Sequence, residues 1–489
     1  MKILKLIEGI DISEMRNIKD IEKIEVNNIS SNSKDIKESG LFIAIRGEHF
    51  DGHNFIEEAI KRGALLALGE EDIKEFPYIM VPDSKRAYAF ISSNYYNNPF
   101  REIKTVGVTG TNGKTTTVNL IGSILETLGE KVGIIGTLGA RLGSEELVTQ
   151  FTTPEQLLLA ELYNRARNLG INKIVMEVSS QSLAQHRVDA VRFEAGIFTN
   201  LTQDHLDFHK DMESYFLSKR RLFEMVSEDK DGIMAINIDD DYGKRLVQEF
   251  SSYNLITYAI KNSAMIMAKD IEILPYGLSF NLLAEGRTFK VSSKLLGEVN
   301  VYNILSAISY IYGRKLPLDR AIEVIHNFQP VRGRLENVNL GQPFRVLIDF
   351  AHTPDALERV LKISKNLGKR VIVVFGCGGD RDRFKRPLMG NIATSLSDIA
   401  IITSDNPRSE DPMSIIEEIV KGVSRNNYII KEDRREAIYY AIDIAEPEDV
   451  VVIAGKGHET YQIFKDRTIH FDDREVATEA IKRRIDNAH

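Results

Sequence analysis

The sequence predicts an α/β protein of three domains, with open, mostly parallel sheets in the second and third. Its 489 residues exceed what one hydrophobic core sustains, because cores stop growing near about 300 residues and domains average about 150. Short apolar runs bounded by turn residues alternate with stretches of helical spacing, the pattern of strands joined by crossover helices. The pattern resets after Asn98-Pro99 and again around Gln329-Pro330-Val331-Arg332-Gly333. The expected divisions are therefore 1–100, 101–329 and 330–489.

The first division mixes short apolar pieces such as Leu41-Phe42-Ile43-Ala44-Ile45 with turn signals at Ser39-Gly40 and Asp51-Gly52, which reads as a small α/β unit. In the second, Thr105 to Val108 reads as a buried strand, a Gly-rich turn follows, and Lys114 to Leu128 reads as a helix. Val118, Ile121, Leu125 and Leu128 recur at helical spacing there, and Gly129 stands where a helix C-cap is favoured. Further strands are expected at Ile174 to Val178, Ala195 to Phe198 and Ile233 to Ile236, giving a doubly wound central sheet. The third division has apolar strands at Val346 to Phe350, Val371 to Phe375, Ile399 to Thr403 and Val450 to Ala454, a second open sheet of Rossmann-like winding. No repeat of solenoid period and no low-complexity linker occurs.

Composition narrows the function. Hydrophobic residues at 43% and charged residues at 27% exclude a disordered or fibrous chain. A net charge of −8 provides no basic field, so neither nucleic acid nor an anionic membrane is an expected partner. The single cysteine, Cys377, excludes a disulfide framework and multi-cysteine metal sites, and is expected to be inert. Glu8, Asp11 and Glu14 interrupt the N-terminal apolar piece, and no run of 18 apolar residues occurs, so a cytoplasmic chain is expected.

The strongest chemical signal is Gly110-Thr111-Asn112-Gly113-Lys114-Thr115-Thr116-Thr117, between an expected strand and an expected helix. Glycines let backbone N–H groups close around phosphate oxygens, the helix N-terminus adds positive potential, Lys114 supplies a point charge and the Thr115 hydroxyl can ligate Mg²⁺. The glycine expected five residues before Gly113 is Val108, with Gly107 one place earlier. Glu177, in Met176-Glu177-Val178-Ser179-Ser180, ends a strand where ligands of open sheets collect and a carboxylate can hold a metal. His205 and His209 are four apart, as in a zinc pair, but Leu206 stands where the zinc-protease motif needs glutamate; one histidine acting as ligand or phosphate contact is preferred.

In the last third, Phe375-Gly376-Cys377-Gly378-Gly379-Asp380-Arg381, with Arg383, Lys385 and Arg386 behind it, leaves a strand as an anion-receiving loop. Ser404-Asp405-Asn406-Pro407-Arg408 and Ala454-Gly455-Lys456-Gly457-His458-Glu459 also leave strand ends, so the three loops should line one sheet edge.

Together these residues resemble the Mur ligases, the ATP-dependent enzymes that add amino acids to the peptide stem of bacterial cell-wall precursors. Gly110 to Thr117, Thr152-Thr153-Pro154, Glu177 to Ser180, Asn200 to Asp207, Asn300 with Asn303, Gly333-Arg334 and Asp349 to Pro354 occur in the family's order over nearly the whole chain. Gln185-His186-Arg187, Gly376 to Arg381 and above all Asp405-Asn406-Pro407-Arg408 resemble the branch that adds the third residue in its meso-diaminopimelate-using form. Diaminopimelate is lysine with one more carboxylate, which a guanidinium can grip through two charge-assisted hydrogen bonds; lysine offers Arg408 nothing. A polar group left unpartnered by the wrong substrate can discriminate by roughly 10⁴-fold. L-Lysine is the alternative acceptor. A folylpolyglutamate synthase shares the ATP loop but fits poorly with Asp405 to Arg408 and with a separate N-terminal domain, and a nucleotide-dependent regulator remains the rival from another class.

The resemblance implies roles by position. Lys114 and Thr115 would hold ATP phosphates and Mg²⁺ within a loop completed by Gly110, Thr111, Asn112, Gly113 and Thr116. Glu177 would ligate the first of two Mg²⁺ ions; His205 and Lys219, the latter as a CO₂-derived carbamate, would ligate the second. Unaided by the resemblance, Lys219 reads as a solvated helix residue. Asn300, Asn303, Arg334 and Asp349 would contact ATP, with His352 nearby. Ser33, Thr152, Thr153, Ser179, Gln185 and Arg187 would hold the UDP-N-acetylmuramoyl-dipeptide substrate. Arg381, Gly455 and Glu459 would join Asp405, Asn406, Pro407 and Arg408 around the incoming amino acid. Ser30 to Lys34 is a loose version of the family's Asp-Ser-Arg, and Phe350 replaces its more usual tyrosine. A monomer is the expected state.

Overall fold

The computed structural model describes residues 1–47, 50–274 and 276–486. It contains a five-stranded, an eleven-stranded and a six-stranded sheet in chain order, and a two-stranded ribbon near the end. The N-terminal sheet runs Glu14–Arg16, Tyr78–Met80, Ala64–Gly69, Gly40–Ile43, Asn28–Ser30, parallel except for its first strand. Its strands are short, and turn residues punctuate them as the sequence indicates.

In the central sheet the strand Lys104–Thr109 lies between Lys173–Glu177 and Phe193–Phe198, both parallel to it. Ile233–Asn237 and Asn254–Ala259 extend the parallel array on one side and Val132–Gly136 on the other. Antiparallel hairpins finish both edges, from Ile266–Leu274 through Arg287–Ser293 and from Gly139–Leu142 to Glu145–Leu147. The inner strands are buried on both faces: Val106, Val108 and Val175 enter one core with Ile121 and Ile304, while Ile174, Met176 and Phe198 enter the other with Leu222 and Phe223. Continuous Val/Ile runs without polar alternation are what two-sided burial demands. The helix Lys114–Thr127 starts directly after the phosphate loop, and helix Glu298–Gly313 packs against it.

The third sheet orders Arg345–Asp349, Val450–Ala454, Val371–Phe375, Ile399–Ile402 and Tyr428–Ile430 in parallel, with Glu336–Asn337 antiparallel at one edge. All strand runs expected in the second and third divisions are present, within a residue or two at their ends. The strands Val132–Gly136 and Asn254–Ala259 and the edge hairpins were not expected from the sequence. Among the described residues no helix is long and apolar enough to cross a membrane.

Candidate active site

Both large sheets present their carboxyl ends to one cleft. On the central side, Gly110 has φ +143° and a Cβ there would lie 1.9 Å from Thr199 Oγ1; at Gly113, φ +89°, it would lie 2.3 Å from Asn303 Oδ1. These two glycines are therefore dictated by the turn and by close approach. Asn200 O and Oδ1 accept the N–H groups of Thr111 (2.9 Å) and Asn112 (3.0 Å), tying the loop to the next strand end. Lys114 folds back over the loop, its Nζ donating to Gly110 O (2.8 Å) and Thr111 O (2.9 Å). Desolvation lowers the pKa of this ammonium, with Glu177 and Asp204 opposing.

Glu177 is buried at the end of its strand, where its carboxylate accepts the Thr137 N–H at 2.8 Å and hydroxyl at 3.0 Å. His205 caps the short helix Leu206–His209 with φ +54°, its Nε2 3.3 Å from Asp204 Oδ2. His209 instead turns into the protein, with Nε2 2.9 Å from Ser180 Oγ, so the two histidines do not form a zinc pair. Burial lowers His209 to about 4.

Lys219 corrects the unaided sequence reading, because it is buried rather than solvated. It sits on helix Met212–Ser227, on the same face as Tyr215, Phe216, Leu222, Phe223 and Val226. Its Nζ lies 4.6 Å from the Tyr215 ring centre and donates to Gly110 O at 3.0 Å, the same oxygen that Lys114 uses. Desolvation, reinforced by the Lys114 charge, holds its pKa well below the ordinary lysine value. A buried amine depleted of its proton is the form that can react with CO₂.

Beside this lies a polar wall. Thr153 Oγ1 donates to Glu177 O (2.8 Å) and accepts the Ser179 N–H (3.0 Å), while Thr152 and Thr137 bring their hydroxyls to 3.2 Å. Arg187 donates to Thr153 O at 3.0 Å and Gln185 Oε1 at 2.6 Å, with its guanidinium 4.6 Å from the Phe151 ring centre. Ser33 is not in this cleft. It is buried on the wall of a second cavity of ≈ 1160 Å³ between the N-terminal and central sheets, donating to Glu58 Oε2 at 3.3 Å. Gln185, Arg187 and Phe208 line both cavities and so connect them.

From helix Glu298–Gly313, Asn303 Nδ2 donates to Asn300 Oδ1 at 2.8 Å beside the phosphate loop. The C-terminal side supplies Arg334, whose Nη2 donates to Thr115 Oγ1 at 3.1 Å and whose Nε is buried without a partner among the described residues. Asp349 accepts the Leu335 N–H at 2.7 Å, and burial raises its pKa against the pull of Arg334. Asp355, at the start of helix Pro354–Lys365, accepts from Asn112 Nδ2 (2.9 Å) and Thr202 Oγ1 (3.3 Å), a second bond between the two halves. His352 also lines the cleft, lowered to about 4 by burial, with Lys385 next among the causes.

The three C-terminal loops meet as expected. Asn406 Nδ2 donates to Glu459 Oε2 (2.9 Å), Gly455 leaves no room for a Cβ against Asp405, and Arg408 Nη1 donates to Gly379 O (2.8 Å). Arg381, Asp405, Asn406, Arg408, Gly455 and Glu459 line one cleft of ≈ 670 Å³ together with Lys114, Glu177 and His205. Pro407 backs this wall, its carbonyl against Gly379. Lys456 has no role in the sequence reading, yet it is fully buried, donating to Asn406 Oδ1 at 3.0 Å with Glu459 at 3.4 Å and Asp405 at 3.7 Å. Cys377 is buried, and burial pushes its thiol up to about 12, away from the reactive thiolate form.

Among the described residues, one trio of His and acidic ligand atoms lies within 4.8 Å of one another, Asp51, His53 and Glu71, away from the cleft. Both ring nitrogens of His53 are engaged, Nδ1 with Asp51 (2.6 Å) and Nε2 as acceptor of the Glu70 N–H (3.0 Å), leaving no lone pair for a metal.

Three family models cover this chain: the Mur ligase family catalytic domain over residues 25–109, the Mur ligase middle domain over 108–311 and the Mur ligase glutamate ligase domain over 333–457. The chain belongs to the Mur ligase family. Its sequence is 44% identical over 491 residues to the UDP-N-acetylmuramoyl-L-alanyl-D-glutamate--2,6-diaminopimelate ligase of Clostridium botulinum, covering 98% of this chain and 99% of the relative. The enzyme of the same name from Clostridium tetani is 46% identical over 470 residues, covering 94% and 96%. A solved structure of a ligase of that name superposes with a TM-score of 0.70 at 29% identity, covering 99% of each chain. As a Mur ligase the chain has the three-sheet α/β architecture of its relatives, and the cleft lies where the middle and glutamate ligase domains meet.

Proposed function

We propose that this Mur ligase joins meso-diaminopimelate to UDP-N-acetylmuramoyl-L-alanyl-D-glutamate at the expense of ATP, in cell-wall precursor synthesis in the cytoplasm, acting as a monomer. Residues 1–100 would bind the UDP part through the larger cavity, 101–329 the ATP, and 330–489 the incoming amino acid. The observation that carries the reading is a single cleft lined by a phosphate loop from one sheet and an Arg408/Asp405/Glu459 pocket from another.

In this reading an oxygen of the D-glutamate γ-carboxylate attacks the γ-phosphorus of ATP. The bond to the bridging oxygen breaks, ADP leaves, and an acyl phosphate forms. The diaminopimelate amine then attacks the acyl carbon, phosphate departs, the nitrogen gives up its proton and an amide remains. Both steps are group transfers between bound substrates, so no side-chain nucleophile is needed. Lys114 and the phosphate-loop N–H groups would hold the triphosphate, with Arg334, Asn300, Asn303 and Asp349 around the nucleotide. Thr152, Thr153, Ser179, Gln185 and Arg187 would orient the peptide; Ser33 would act from the UDP cavity.

The donor set fits Mg²⁺, a hard cation that takes oxygen ligands: Thr115 and Glu177 offer oxygen, and Lys219 would do so once CO₂ has added to its amine with loss of a proton. His205 would complete the set as a nitrogen ligand. Two such ions would neutralise charge as carboxylate and triphosphate approach each other. Arg381, Asp405, Asn406, Pro407, Arg408, Gly455 and Glu459 would surround the amino acid, with Arg408 on its distal carboxylate. Reactants from three domains need closure, which positions them and keeps water from the acyl phosphate. The Arg334–Thr115 and Asp355–Asn112 bonds support a closed arrangement as the working one.

Phosphate release in the presence of ATP, UDP-N-acetylmuramoyl-dipeptide and amino acid tests the reading. Release that requires both acceptors, with meso-diaminopimelate far better than L-lysine or L-ornithine, is expected; release independent of them would refute ligation.

A further inference from the structure

We propose that Arg386 and Glu410, neither of which lines the cleft, are positioning residues that fix the aim of the Arg408 guanidinium and thereby set the choice of amino acid. This rests on the reading of Arg408 given above.

Arg386 is charged yet fully buried. Its guanidinium forks onto Glu410, Nη1 to Oε2 at 2.9 Å and Nη2 to Oε1 at 2.8 Å, while Nη1 also meets Glu418 Oε2 at 2.8 Å. The pair does more than neutralise itself. Arg386 Nη2 reaches Gly378 O at 3.2 Å, and Glu410 Oε1 accepts the Asp380 N–H at 2.6 Å. Between those two anchored residues lies Gly379, whose carbonyl accepts from Arg408 Nη1 at 2.8 Å. The acceptor that orients Arg408 is thus held from both sides by one ion pair whose arginine is buried.

The same loop is locked from its other face. Gly379 N donates to Asn406 O at 2.9 Å, and Asp380 Oδ1 accepts the Ser409 hydroxyl at 2.6 Å. Asp380 (φ +52°) and Arg408 (φ +53°) both hold left-handed backbone, a conformation that non-glycine residues keep only where surrounding bonds over-determine it. Glu410, whose pKa is lowered to about 2 chiefly by its bond to Arg386, stays ionised over the working range, so the clamp persists there. Supporting groups of this kind tune a site by orienting the residues that touch the ligand, and losing one costs about 10–100-fold at metal sites where this has been quantified.

The test is a four-chain cycle: unaltered protein, Glu410→Ala, Arg408→Ala and the double variant, each assayed with meso-diaminopimelate and with L-lysine. Glu410→Ala is expected to lower the ratio of the two kcat/KM values about tenfold, through the KM for diaminopimelate, while the KM for ATP stays unchanged. In the Arg408→Ala background the same substitution should change the ratio no further, which a merely structural role would not produce. Glu410→Gln keeps the reach but loses the charge and one of the two oxygens on which Arg386 forks, so it should lower the ratio in the same direction as alanine and by no more; a ratio equal to that of the unaltered protein would overturn the proposal. If Glu410→Ala does not fold, Glu410→Asp, which keeps the charge but withdraws the oxygen, should lower the ratio in the same direction. A folded Glu410 variant with an unchanged ratio, beside an Arg408→Ala chain that has lost its preference, overturns this proposal alone. An unchanged ratio in Arg408→Ala overturns the assignment of Arg408 and this proposal with it.

Discussion

The two ends of the cleft are built from different materials. At the phosphate loop the determining groups are mostly main-chain, two glycines in required conformations and N–H groups tied to Asn200, with one lysine side chain lying on carbonyl oxygens. At the amino-acid end side chains predominate: buried Lys456 joins Asn406, Glu459 and Asp405, and Arg408 is aimed by the Gly379 carbonyl, which Arg386 and Glu410 back. In the proposed function, backbone recognises what every substrate of the family shares, a phosphate. In the same proposal, side chains would recognise what differs, a second carboxylate, because a planar guanidinium demands a planar partner at a fixed angle. Generality and specificity are thus divided between two sheets.

Substitutions can break this division or sharpen it. The largest expected effect is at the shared end: Lys114→Ala should reduce phosphate release by about 10³-fold, equally for every acceptor. An effect that depended on the acceptor would dissolve the distinction. Lys219→Met should lower turnover by a similar or smaller factor while raising the melting temperature in CO₂-depleted buffer at neutral pH. The folded amine titrates well below its ordinary 10.5, so in the window between these values the unfolded chain binds the extra proton. Stability from this site therefore rises with pH through that window and is lost as pH falls; calorimetry across pH should show Lys219→Met with the flatter profile. At the specific end, Arg408→Ala should cost about 10²-fold in kcat/KM for meso-diaminopimelate and leave the KM for ATP within a small factor. The smallest effect belongs to the bond between the two ends: Asp355→Ala removes one charged acceptor and should raise the KM for ATP by about tenfold, with solution scattering showing a more open particle.

Sequence made these ends unequally visible. Gly110 to Thr117 is legible because a phosphate turn needs those residue types at fixed spacing on one continuous segment, and the parallel strands are legible because two-sided burial removes polar alternation. The edge strands Ile266–Leu274 and Gly277–Ala284 are not, since partial exposure mixes polar residues into them. Lys219 was misread although a signal exists: Tyr215, Phe216, Leu222, Phe223 and Val226 define a helical stripe, and position 219 falls on it. A lysine on an apolar stripe is a buried amine with a reason to be there. The Arg386–Glu410 pair has no such signal. Its partners lie 24 and 32 residues along the chain, and a charged residue in the first turn of a helix looks solvated until the fold brings its partners to it.

Direct reaction of a carboxylate with a triphosphate in this cleft is tested by isotope transfer. With both γ-carboxylate oxygens of the dipeptide substrate labelled with ¹⁸O, mass spectrometry of a complete reaction with meso-diaminopimelate should find one labelled oxygen in each released phosphate and the other in the new amide. Unlabelled phosphate, or labelled substrate recovered intact while ATP is consumed, would mean that no acyl phosphate forms and that the cleft does other work.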